Sequence, residues 1–225
     1  MPSEFSGRET RPYRRYRPLP ALIMIAVLGG ASAIIWLKVL NASGDVDEAI
    51  RCNPPASPPP GMTYTAVPHD ALDEVDPIPP DQVDVRVLNA SGKRRQAALV
   101  SESLKQLGFS EIGRPANDKA YENRDKPGCR GQIRFGANGE AAARTLSLVD
   151  SCVELIKDGR KDASVDLAIG AEFTDVRPRR EAVTALEVLA KWSDKYGSRS
   201  SELSAGKQAP QLSDDLLEAA RTDSC

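Results

Sequence analysis

The chain has 225 residues, room for one ordinary domain with extensions, and its 17 prolines gather mostly in two stretches that mark where the extensions lie. The formal charge of -2 says little about partners, because it hides a local asymmetry. Arg8, Arg11, Arg14, Arg15 and Arg17 precede an uncharged apolar run over 19–37 and are opposed only by Glu4 and Glu9.

The run LPALIMIAVLGGASAIIWLKVL, residues 19–40, is long enough to cross a hydrocarbon layer roughly 30 Å thick. Its arginine-rich flank and Ala31-Ser32-Ala33 resemble a cleaved signal peptide, but the apolar character continues through Ile34, Ile35, Trp36 and Leu37. The reading is a single transmembrane helix. The positive-inside bias places the arm 1–18 in the cytoplasm and everything after 40 outside, with Trp36 at the outer interface and Lys38 able to snorkel. Gly29 and Ala33 form a small-xxx-small pair that would let two such helices approach.

Residues 41–80 contain NPPASPPPG and DPIPP and few large apolar side chains, the composition of an extended proline-rich stalk. The four cysteines, Cys52, Cys129, Cys152 and Cys225, all follow the apolar run, as expected of a chain exported to an oxidising compartment. Three connectivities are open. Cys129 and Cys152 both lie inside the expected domain, each at the start of a strand, and are the expected bridge, whose closure would stabilise by about 3 kcal/mol. Cys52 and Cys225 remain for each other or for a partner chain. There is no C-x-x-C, and the single histidine, His69, sits beside Pro68, so no metal site and no cofactor is expected.

The domain is expected over 81–196. Val83, Val85 and Val87 alternate in a strand over 82–88, and Ala97, Val100, Leu104 and Leu107 fall at helical spacing before Gly108, a left-handed helix end. A short strand at 109–114 follows, then GQIRFG (131–136), a helix over 138–149, CVELI (152–156), SVDLAIG (164–170) and an amphipathic helix over 181–196. This order predicts an α/β two-layer sandwich, a mixed sheet with helices on one face. The tail 197–225 is polar apart from LSDDLLEAAR, a short helix.

The turn after the first strand, Asn89, Ser91, Gly92, Lys93 and Arg94, is the candidate ligand-binding element, because a basic strand-to-helix turn suits an anion. It lacks the glycines of G-x-G-x-x-G or G-x-x-x-x-G-K-[ST], and the plainer reading is a tight turn with Ser91 capping the helix. Triad hydrolysis needs a histidine that the domain does not contain, and no G-x-S-x-G occurs. Nucleic acid is not an expected partner, since Lys93, Arg94 and Arg95 have no interleaved aromatic residues.

VRVLNASGKRRQAALVSESLKQLGF resembles the opening of the LytR C-terminal domain family: a valine-rich strand, an Asn-x-Ser-Gly turn, a helix and a Gly-Phe exit. GQIRFG, the alanine-rich helix after it, and VDLAIGAEF match that family's later elements, so that the resemblance covers 83–173. The family accompanies the LytR-CpsA-Psr phosphotransferases, whose catalytic domain is missing here. The resemblance therefore implies a non-enzymatic module that supports the cell envelope by binding peptidoglycan or LytR-CpsA-Psr type wall-assembly proteins. An anion-binding transferase or hydrolase acting on lipid-linked wall precursors, with Arg94, Arg95 and Arg134 as clamps, is the alternative. A structural element dimerising through Gly29 and Cys52 is a third reading.

Overall fold

A computed structural model of the chain describes residues 19–55, 63–121, 126–196, 210–221 and 225. The arm 1–18 lies outside them. The chain divides into two compact units, Met1–Ala42 and Ser43–Cys225. Helix α1 (Leu19–Ala49) begins in the first, where the large apolar side chains described over 22–36 are all exposed. Among the described residues no helix is long and apolar enough to cross a membrane, and the described side chains of the apolar run end at Trp36.

The second unit is a six-stranded mixed sheet. Its strands are β1 (Thr65–Val67), β2 (Val85–Asn89), β3 (Ala116–Asn117), β4 (Gly131–Phe135), β5 (Glu154–Lys157) and β6 (Val165–Ile169), in the spatial order β1-β5-β4-β6-β2-β3. The β1/β5 and β4/β6 pairs are antiparallel, while β4/β5, β2/β6 and β2/β3 are parallel. The helices are α2 (Gln96–Gln106), α3 (Glu140–Ser147), α4 (Arg180–Tyr196) and a short α5 (Asp214–Ala219).

Side chains alternate across the sheet, so register sorts them onto two faces. One transverse row runs Leu155, Ile133, Leu167, Val87. These share one apolar cluster with Val100 and Leu104 of α2, Ala143 and Leu146 of α3, Leu186 of α4 and Leu217 of α5. Each such aliphatic side chain stabilises by about 1.5–3 kcal/mol on burial, and this face holds the fold together. The next row runs Ile156, Arg134, Asp166, Arg86 and faces the other way. Gly108, at φ 95, ends α2 in the left-handed conformation expected, with Phe109 N–H donating back to the Leu104 carbonyl at 3.2 Å.

Several expectations are corrected. The strand expected at 109–114 is reduced to a single bridge from Ile112 to Val85, and the ladder resumes only at β3, because Pro115 has no N–H to donate in between. The expected stalk is not free chain throughout. Within it Ile50, Cys52, Leu72, Pro77, Pro79 and Pro80 are buried, β1 pairs with β5, and Asp47 Oδ1 accepts the His69 peptide N–H at 2.8 Å.

The expected Cys129–Cys152 bridge is replaced by Cys52–Cys129 and Cys152–Cys225, with Cα separations of 5.0 and 5.3 Å. β4 and β5 are indeed parallel neighbours, but chain returning from α1 lies across their starts. There the Cys52 peptide N–H donates to Glu154 Oε2 at 3.2 Å, and Cys52 Sγ lies 3.4 Å from the Gly131 carbonyl oxygen. Cys152 instead lines a cavity with Ala220 and its partner Cys225.

Candidate functional site

The turn between β2 and α2 is built from its own side chains. Asn89 Oδ1 accepts the Ser91 N–H at 3.2 Å, and Asn89 Nδ2 donates to the Lys93 carbonyl at 2.8 Å. The Ser91 hydroxyl, buried, lies 2.7 Å from Asn89 Oδ1 and 2.5 Å from Gln96 Oε1, and accepts the Lys93 N–H at 3.0 Å. Ser91 is therefore a pin inside the turn and not the expected helix cap. That place is taken by Arg95, at φ 62 and with no side-chain capping bond. Gln96 Nε2 and Lys93 Nζ both donate to the Phe173 carbonyl at 3.0 Å, tying the turn to the chain after β6.

This turn forms one wall of a cleft of about 570 Å³ at the ends of β2 and β3. The cleft is lined by Asn89, Gly92, Lys93, Arg94 and Arg95 on one side and Asn117, Asp118, Tyr121 and Lys126 on the other. Of the residues expected at a ligand site, Asn89, Gly92, Lys93 and Arg94 are thus brought together, while Ser91 lies beneath them. Gly92, at φ 74, belongs to the close approach of Lys126: a Cβ there would sit 2.4 Å from Lys126 Cε and 2.7 Å from its Nζ. Among the described residues Arg94, Arg95 and Lys126 meet no carboxylate.

Arg134 does not join them. It projects from β4 on the face opposite the helices, is 1% exposed, and donates from Nη2 to Asp118 Oδ2 at 2.7 Å and from Nη1 to Asp118 Oδ1 at 3.2 Å. The rings of Tyr64 and Tyr121 lie over its guanidinium at 4.8 and 5.7 Å. Burial works against its charge, but the bonds and charge of Asp118 more than offset this and hold it firmly protonated. Burial pushes the Tyr121 phenol up to about 12, against the pull of Arg134. The same face carries Gln132, which donates to Glu154 Oε2 at 2.8 Å, and a second group in which Arg160 bonds both Asp158 and Asp166.

The cleft floor, Asp118 and Tyr121, is consequently the upper edge of a buried ion-pair network. Asp118, Tyr121, Gln96, Phe173 and Lys126 join the site without a sequence motif to mark them. The only signal was that Gln132 and Arg134 alternate with Ile133 and Phe135, a polar strand face whose partners depend on an unreadable register.

A family profile described as LytR cell envelope-related transcriptional attenuator matches residues 82–173. The chain is also similar to the cell envelope integrity protein Cei of Mycobacterium tuberculosis, with 41% identity over 167 residues, 73% of this chain and 76% of that protein. The chain belongs to the LytR C-terminal domain family. Among solved structures, the soluble domain of a conserved hypothetical secreted protein from Mycobacterium marinum is 36% identical with a TM-score of 0.58, covering 72% of this chain and 97% of that one. In the numbering of this chain the family match ends at Phe173, whose carbonyl closes the 89–96 turn.

Proposed function

We propose that this LytR C-terminal domain protein is a non-enzymatic extracytoplasmic module, held at the membrane by residues 19–40, that supports envelope integrity by binding peptidoglycan or a LytR-CpsA-Psr type wall-assembly protein. The observation that carries the reading is the pair of long-range disulfides, Cys52–Cys129 and Cys152–Cys225, which leave no thiol free and suit an oxidising compartment. The relative named for cell envelope integrity supports the same compartment. The exposed apolar side chains over 22–36 support the anchor, because a surface of that kind needs a lipid or protein cover.

Binding is favoured over turnover by what the cleft holds. All four cysteines are oxidised, and the single histidine is engaged by Asp47 at 3.0 Å rather than lying among the cleft residues. The alternative, a transferase or hydrolase of lipid-linked precursors, loses its Arg134 clamp to Asp118.

The test uses the full-length oxidised protein in detergent, incubated with purified sacculi, with a LytR-CpsA-Psr protein, and with lipid-linked precursors while turnover is monitored. Retention by sacculi or by the protein, without product release, is expected. Product release would establish the transferase reading instead, and absence of any retention would contradict the proposal.

A further inference from the structure

We infer that the cleft between the 89–95 turn and Lys126 is a binding site for a polyvalent phosphate group, a diphosphate or phosphodiester rather than a single carboxylate. The inference rests on the binding-module reading and names the chemistry its site selects.

Charge sets the class of ligand. Four cationic side chains, Lys93, Arg94, Arg95 and Lys126, line one concave surface, and the one carboxylate among the described residues that line it is Asp118. Asp118 is already matched by Arg134 at 2.7 Å, so it cancels none of the four. Among the described residues none of the four has a carboxylate partner, in contrast to Arg130, Arg160 and Arg177, which are paired with Asp150, Asp158 and Asp175. A monovalent anion would leave most of this charge unmatched. Planar guanidinium forks with ammonium groups beside them are the donor set that phosphate oxygens take.

Geometry points the same way. Gly92 lets the Lys126 ammonium cross directly over the turn, where any Cβ would meet it at 2.7 Å, so cations from separate chain segments converge on one place. The turn is pinned by Asn89, Ser91, Gln96 and the Phe173 carbonyl, which prepays part of the ordering that binding requires. A cleft of about 570 Å³ exceeds what orthophosphate fills and lies in the range of about 300–1,000 Å³ used for organic ligands. The Asn117 amide and the Tyr121 ring, also in the lining, suit the sugar or other neutral body that carries such a group.

Calorimetric titration of the full-length oxidised chain in detergent, with inorganic pyrophosphate, orthophosphate and acetate as probes, tests this. Pyrophosphate is expected to bind one site, more tightly than acetate and more weakly as salt rises. Lys126→Gln, or Arg94→Gln with Arg95→Gln, should weaken it about tenfold without lowering the melting temperature, and Lys191→Gln on α4 should not. No pyrophosphate binding, equal binding of acetate, or equal loss in Lys191→Gln overturns the inference. Retention on vesicles bearing an isoprenoid diphosphate, against retention of a soluble phosphodiester polymer, then tells which source carries the group. Sacculus retention that persists without pyrophosphate binding sinks this inference alone. Pyrophosphate binding by a protein that sacculi and wall-assembly proteins both ignore sinks the module's role alone.

Discussion

Arg134 and Asp118 are the residues whose loss the domain should feel most, because neither charge has access to water. Their side chains are 1% and 3% exposed, and removal of one leaves the other buried and unpaired. Arg134→Met is expected to cost about 3–5 kcal/mol in urea unfolding, and Arg134→Met combined with Asp118→Leu to recover much of that. Equal losses in the single and double variants would show that packing, not charge, holds this face. Glu154 tests the same face by pH. Burial raises its carboxyl above the ordinary 4.5, with the Gln132 and Cys52 hydrogen bonds opposing. A raised acid binds more protons folded than unfolded, so its contribution is full below the ordinary value and falls as pH rises through the folded one. Asp150, raised by burial against Arg130, has the same sign. Glu154→Gln should therefore flatten part of the fall in unfolding free energy as pH rises above the ordinary carboxyl value of 4.5, measured by urea midpoints. At Gly92, the φ of 74 makes substitution by Ala destabilising by about 1 kcal/mol or more, and the added Cβ would push the flexible Lys126 ammonium out of its place in the cleft.

The disulfides act on whole elements. Cys52–Cys129 fastens the segment after α1 over the polar sheet face, and Cys152–Cys225 fastens the tail that carries α5. Their sequence separations of 77 and 73 make each closure worth about 4.5 kcal/mol in the chain-entropy model, more than the shorter 129–152 loop would give. Cys129→Ser and Cys152→Ser should each lower the melting temperature by many degrees, and proteolysis of the unreduced protein should yield peptides linking 52 with 129 and 152 with 225. A 129–152 linkage would contradict the structure. Strands with clear alternation, such as VRVLN and VDLAI, and the helix ending at Gly108 were legible because local period and a glycine cap specify them. The partners of Arg134, the fate of Cys52 and the pairing of β1 were not, because they depend on register and on chain folding back from distant segments. A stretch rich in proline reads as extended, yet Pro77, Pro79 and Pro80 are buried by the domain they were expected to hold at a distance. At the candidate site the basic turn was legible as a motif, while Lys126 and Asp118 arrive from a loop with no local signature.

At the scale of the molecule the two units divide the work proposed for it: an apolar helical segment for the membrane, and an oxidised sheet domain with a cation-lined cleft for the envelope. The proposed arrangement puts the domain on the outer side of the membrane, the oxidising side on which two disulfides form and persist. Protease added to intact spheroplasts prepared without reductant, followed by a reducing blot for the N-terminus, tests this most directly. The full-length band is expected to disappear and a short membrane-retained N-terminal fragment to remain, whereas a full-length chain that survives until detergent is added would overturn the proposed topology.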